Sequence, residues 1–191
     1  EALAAFVGAD PAGLAFVPNA TTGVHTALAA LELRPGDELL VTDHTYAACR
    51  NVVDHIAARA GAEVVVAALP FPTPGADALA DAVLARVSDR TAAALVDHVT
   101  SPTALVMPLE TLVPALRARG VTVIVDGAHA PGMLDLRVDD LGADVYTGNG
   151  HKWLCAPKGV GFVVVRPELR DRFRPRVISH GAAAAPPDRF H

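Results

Sequence analysis

The chain has 191 residues, 51% of them hydrophobic, with 21 acidic against 16 basic side chains and a net charge of −5. That length suits one domain or slightly more, the apolar content excludes disorder, and the lack of a basic block argues against a nucleic-acid partner. No apolar run approaches the ~20 residues a bilayer span needs, and Cys49 and Cys155 form neither a disulfide framework nor a paired zinc motif, so the expectation is a soluble, cytoplasmic protein with no membrane partner.

Residues 14–17 form a short apolar run that ends at Pro18-Asn19, and Thr21, Thr22 and Gly23 then open a segment with Val24, Leu28 and Leu31 at helical spacing. A Pro35-Gly36 turn leads to a strand at 38–42 and a second helix whose Val52, Val53, Ile56 and Ala60 share a face. The unit repeats with a strand at 63–67, a Pro/Gly loop at 70–75 and a helix marked by Leu79, Val83 and Val87. A buried strand at 91–96 precedes a helix that starts at Pro108 and carries Leu109, Leu112, Val113 and Leu116 on one side. Strands at 121–125, 143–146 and 159–165 complete the series, the last two joined by a glycine-rich loop.

Strands alternating with helices predict an α/β protein, a three-layer α/β/α sandwich with a mainly parallel sheet. In such folds ligands sit at the carboxyl ends of the strands. Five polar clusters follow strand ends: Thr21 and Thr22, His44, residues 97–101, Asp126 with His129, and residues 149–152. Asn19-Ala20-Thr21-Thr22-Gly23 opens a helix, where backbone N–H groups favour phosphate, and ordinary helix capping explains the same residues. Asp126 places a carboxylate at the rim of an apolar sheet, either to meet a cation such as a protonated pyridine or to cap the next turn. His44 and His129 suit either the site or a backbone carbonyl, and Tyr46 either packing or function. Lys152, beside His151 in a Gly-rich stretch, can do covalent chemistry if burial or a neighbour lowers its basicity.

Metal is not expected: HExxH is absent, and Asp126 with His129 is half a site among eight histidines and two cysteines. Nucleotide fingerprints fail too, because Gly159-Val160-Gly161 meets Val164 where the third glycine belongs and no GxxxxGK[ST] occurs.

Taken together, Asn19-Ala20-Thr21-Thr22-Gly23, Asp43-His44-Thr45-Tyr46, Asp97-His98-Val99-Thr100-Ser101-Pro102, Val125-Asp126-Gly127-Ala128-His129 and Thr147-Gly148-Asn149-Gly150-His151-Lys152-Trp153 resemble the class V aminotransferase family of pyridoxal-phosphate enzymes. The wording of the third and fifth motifs looks most like the isopenicillin N epimerase-like branch. The resemblance implies a fold-type-I large domain holding pyridoxal 5'-phosphate, with Lys152 forming the internal aldimine and Asp126 pairing with the pyridinium nitrogen. It gives the phosphate to His151, Asn149, Thr21 and Thr22. His44, or Tyr46 in its place, would stack on the ring, His129 would reach the phenolic oxygen, and Ser101 would lie among the cofactor-binding residues. Related cysteine desulfurases carry glutamine at the position of His129 and asparagine at that of Ser101, so their contacts do not transfer directly.

Family members are about twice this length. The resemblance therefore implies that residues 1–178 are the cofactor-binding large domain without its N-terminal part, and that 179–191, with His180 near its start, begin the connection to a small C-terminal domain. A homodimer of full-length chains and a small amino-acid substrate follow. Epimerisation is the expected reaction, with cysteine desulfuration or C–S lysis as the alternative and a non-catalytic fragment or degenerate homologue as the second. A desulfurase needs a mobile nucleophilic cysteine, whereas Cys49 and Cys155 read as buried small hydrophobes.

Overall fold

A computed structural model describes residues 1–173 and Ile178; the expected connection at 179–191 and His180 lie outside them. A seven-stranded sheet runs through the centre in the order β1-β7-β6-β5-β4-β2-β3. Its strands are β1 (Leu14–Val17), β2 (Glu38–Thr42), β3 (Glu63–Ala67), β4 (Thr91–Asp97), β5 (Thr122–Gly127), β6 (Val145–Asn149) and β7 (Gly161–Val165). β2 to β6 pair in parallel, and β7 runs antiparallel to both β6 and β1.

The reversal of β7 has a local cause. The link from β6 to β7 carries no helix, and a parallel return needs a crossover of a dozen residues or more, usually helical. The other connections do carry helices: α1 (Ala2–Val7) precedes β1, α2 (Ala20–Ala29) follows it, and α3 (Ala47–Ala60), α4 (Ala76–Leu84), α5 (Leu109–Arg117) and α6 (Val138–Leu141) come in turn.

Both faces of the sheet are covered, so β2, β5, β6 and β7 are buried along nearly their whole length rather than at alternate residues. One core layer packs Val7, Leu79, Val83, Leu109, Leu112 and Leu116 against Leu40, Val96, Val123, Val125 and Tyr146. The other packs Val24, Leu28, Cys49, Val53 and Ala57 against Leu39, Leu95, Ile124, Val145 and Val163. Successive residues of β5 thus alternate between layers, as the pleat requires. This is the three-layer α/β/α architecture that the element pattern predicts, and it agrees with the fold-type-I large domain that the resemblance implies.

Some boundaries differ from the sequence expectation. The strand expected at 143–146 runs from Val145 to Asn149, because Gly148 still pairs with Gly127 on β5 and Asn149 with Gly161 on β7. Val87 lies beyond the end of α4, yet packs on the core from the turn that leads into β4. Cys49 is buried as expected, whereas Cys155 is exposed, in a left-handed turn (φ 56°) of the link between β6 and β7. Among the described residues no helix is long and apolar enough to cross a membrane.

Candidate active site

The strands β1, β2, β4, β5 and β6 all end on one edge of the sheet, and the five polar clusters read from the sequence sit there. Asn149 closes β6, and its side-chain oxygen accepts the Ala20 N–H at 2.8 Å, pinning the first residue of α2. Asn19 caps the same helix, its Oδ1 accepting from the Thr22 N–H at 2.8 Å and the Thr22 hydroxyl at 3.1 Å. Gly23 permits the close seat of α2 on β6: a Cβ there would strike the Thr147 hydroxyl. That hydroxyl is itself committed, donating to the Phe162 carbonyl at 2.9 Å. The N-terminus of α2 is thus fixed from three sides, and the Thr21 N–H has no acceptor among the described residues. The Thr21 hydroxyl meets the Cys49 sulfur.

Asp126 lies near the end of β5, 3% exposed. Its Oδ1 accepts the Ala128 N–H at 3.0 Å and its Oδ2 the Cys49 thiol at 3.1 Å. Burial raises its carboxyl above the usual range, and the charges of Lys152 and His129 act in the opposite sense. The Cys49 thiol is pushed up by burial and by Asp126, so it stays protonated and donates. Asp97, at the end of β4, is equally buried.

Lys152 follows β6 by three residues. Its Nζ lies 2.9 Å from His129 Nε2 and 5.8 Å from the centre of the Tyr46 ring. Trp153 Nε1–H donates to His129 Nδ1 at 3.3 Å. An indole can only donate, so His129 Nδ1 carries no proton; in a neutral ring the proton is then on Nε2 and points at the lysine. An uncharged Lys152 amine would suit that tautomer as acceptor. Burial lowers Lys152 from its ordinary range, against the pull of Asp126, Cys49 and Asp97, and burial is also the largest cause that lowers His129.

The remaining predicted residues are distributed around this centre. His151 Nδ1 donates to the Val160 carbonyl at 3.1 Å, which leaves Nε2 as the ring atom available to another group. His44 is held by Asp43 Oδ1 at 2.9 Å and lies 5.9 Å from the Phe71 ring in a tilted arrangement, while the Tyr46 ring lies beside Lys152. Ser101 is exposed in the turn after β4. The sequence reading gave no site role of their own to three residues that complete the centre: Trp153, which donates to His129; Cys49, which donates to Asp126; and Asp97, named there only within the 97–101 cluster. A signal for Asp97 was present, since it ends a buried strand as Asp126 nearly does.

The aminotransferase class-V family model matches residues 1–185. Isopenicillin N epimerase of Streptomyces clavuligerus is 40% identical over 180 residues, covering 94% of this chain and 45% of that protein. Putative L-cysteine desulfhydrase 1 of Oryza sativa subsp. japonica is 37% identical over 196 residues, covering 94% and 41%. A solved complex of the cystine C–S lyase C-DES with its product cysteine persulfide superposes with a TM-score of 0.86 at 29% identity, covering 93% of this chain and 48% of that one. A C-DES mutant with glycine covalently linked to its pyridoxal-phosphate cofactor gives the same TM-score at 28% identity, covering 93% and 47%. The chain spans about half the length of the curated relatives it matches. With its sheet order, its strand-end lysine and this match along nearly all of its length, the chain belongs to the class V aminotransferase family, whose cofactor is pyridoxal 5'-phosphate.

Proposed function

We propose that this chain is the cofactor-binding part of an enzyme that epimerises an amino acid, with Lys152 as the residue to which the cofactor's aldehyde attaches. The observation that supports the reading is the contact of Lys152 Nζ with His129 Nε2 at the strand-end site, where burial lowers the lysine's basicity and so favours a nucleophilic amine. The residues also fit the cofactor's two charged ends. Asp126 is a buried carboxyl with two neutral donors and no ion pair among the described residues, so a protonated ring nitrogen would be the partner that favours its ionised form. At the other end, the Thr21 N–H at the start of α2 suits a phosphate.

When bound, the cofactor supplies an electron-withdrawing ring that stabilises charge on the substrate's α-carbon. Asp126 keeps the ring nitrogen protonated, and Cys49 and Ala128 keep Asp126 oriented. His129 donates from Nε2 toward the lysine and the oxygen beside it. Thr21, Thr22, Asn149 and His151 form the phosphate end. With Nδ1–H given to Val160, His151 would meet an anion through Nε2. Tyr46 provides the ring surface next to Lys152, His44 lies beside it through Asp43, and Ser101 stands on the rim. Lys152, with its amine free, would serve as the base for the substrate's α-proton, and a second acid on the opposite face would deliver the proton that completes epimerisation. Exposed Tyr46, Phe71, Met133 and Trp153 ring this edge, which supports a full-length homodimer that covers it.

C–S lysis is the second reading, favoured by the likeness to the cystine lyase C-DES and the putative desulfhydrase. Cysteine desulfuration needs an accessible thiol, and of the two cysteines Cys49 is buried and protonated while Cys155 is exposed in the link after β6.

Borohydride treatment of the cofactor-loaded, full-length protein tests the assignment: a pyridoxyl group is expected on the peptide containing Lys152, and an unmodified lysine would overturn it in favour of a non-catalytic homologue. Incubation of candidate amino acids in deuterated water then separates the reactions. Deuterium at Cα without keto-acid supports epimerisation, and pyruvate or released sulfide refutes it in favour of lysis.

A further inference from the structure

Asp97 closes β4, and Asp97 and Asp126 are register partners on adjacent parallel strands. Their side chains leave the same face of the sheet: Leu95 and Ile124, two residues earlier on each strand, both pack in the layer beneath α2 and α3. The two carboxyl groups therefore stand side by side, each 3% exposed. They are served differently. Asp126 accepts a backbone N–H on one oxygen and the Cys49 thiol on the other, whereas Asp97 Oδ2 is buried with no hydrogen-bond partner among the described residues.

Two carboxylates sharing a dry site do not both ionise, because each opposes the charge of the other and neither recovers its lost hydration. The proton goes to the carboxyl with the weaker set of donors. The groups facing Asp97 are Asp126 from β5, Cys49 from α3 and Lys152 from the link after β6, with the Thr45 hydroxyl and Tyr46 N–H contributing from the turn before α3. Lys152 reaches the pair from the link after β6, and its burial lowers it from the ordinary range, which weakens it as the counter-ion of a second anion.

We propose that Asp97 is a positioning residue that holds a proton at neutral pH, so that the buried pair carries a single negative charge seated on Asp126. Burial first and Asp126 second push the Asp97 carboxyl up to about 8, in line with the geometry. The purpose rests on the reading of Asp126 as the partner of the ring nitrogen: a second full charge would draw that nitrogen's proton away from Asp126 and divide the ion pair. The proton itself is a property of the cofactor-free protein, so its location and the cofactor assignment can fail separately.

The test is infrared or carbon NMR spectroscopy of the cofactor-free protein with its aspartate side-chain carboxyls labelled, from pH 5 to pH 9. One carboxylic-acid signal is expected to persist at pH 7 and disappear near pH 8. Asp97→Asn should remove it. Asp126→Asn should keep it and move its midpoint down by at least one pH unit, a measurement that stands even if the first variant folds poorly. A signal that survives Asp97→Asn places the proton on Asp126 and overturns the proposal, as does absence of any acid signal at pH 6 or an unmoved midpoint in Asp126→Asn. Stability supplies a second readout. Asp97 binds its proton more tightly folded than unfolded, so its contribution is full below about pH 4 and is lost as pH rises toward 8. The melting temperature of Asp97→Asn relative to the parent should therefore climb between pH 5 and pH 9, and a constant difference would contradict the assignment.

Discussion

Replacing Gly23 by alanine sets two effects of known size against each other. Alanine gains about 1 kcal/mol over glycine inside a helix, and an exposed position on α2 would show that gain. Gly23 is buried, however, and its new Cβ would meet the Thr147 hydroxyl and come within 2.9 Å of the Thr147 Cβ. Thr147 is 0% exposed, and its hydroxyl is tied to the Phe162 carbonyl at 2.9 Å, so it has no open rotamer to retreat into. Overpacking of a closed site costs about 1–3 kcal/mol, and the rigid neighbour places Gly23→Ala toward the upper end. The expected net effect is a loss of roughly 1–2 kcal/mol, or about 2–8 °C in melting temperature for a chain of this length. Calorimetry measures it directly, and weaker binding of pyridoxal phosphate should accompany the loss because the lifted helix carries Thr21. Thr147→Ala removes part of the obstruction, so Gly23→Ala should cost less in that background. A Gly23→Ala protein more stable than its parent would refute the close seat of α2 on β6.

His98 is buried, with Nδ1 2.9 Å from the Tyr146 hydroxyl, and burial holds the ring down to about 4. Its folded form rejects a proton that the unfolded chain takes up, so its stabilising contribution is complete above about pH 6.5 and falls by roughly 3 kcal/mol as pH drops to about 4. Asp97 works in the opposite sense over that window. Comparing His98→Asn with His98 in an Asp97→Asn background by denaturant titration should isolate the decline, and parallel curves would refute it. Thiol labelling of the native protein should modify Cys155 alone, with Cys49 reacting only on unfolding; two fast thiols would contradict the burial of Cys49.

The strands at 14–17, 38–42 and 63–67 have the bounds read from the sequence because local signals agree there: β-branched or apolar runs stop at proline, glycine or aspartate. Elements fixed by distant contacts were not legible. α1 and α6 are short and alanine- or aspartate-bearing, and they are held by the Asp10 N–H on the Asp139 carboxylate at 2.7 Å and the Asp139 N–H on the Gly8 carbonyl at 3.0 Å. The direction of β7 depends on what the link before it omits, which no periodicity reports. At the site, the five motifs could be located because function keeps polar residues at strand ends where a core would exclude them. Their hydrogen-bond partners could not be: Asn149 spends its side-chain oxygen on Ala20, and Cys49 meets Asp126 from a separate helix, across 77 positions of sequence. Asp97 was hidden in a run of polar residues whose other members turn outward, such as Ser101, or to the opposite layer, such as His98.

β1 joins the sheet through β7, and this makes assembly wait on the direction of synthesis. α2 precedes its floor of β5, β6 and β7 in the chain, and β1, the strand leading into it, gains its neighbour only when residues 161–165 have left the ribosome. A nascent chain can therefore close the parallel strands β2 to β5 while β1 and α2 are still undocked, and loop closure of that span slows the last step. Lys152 has then already emerged, and the strand-end cluster around it is completed only when α2 docks on β6 and β7.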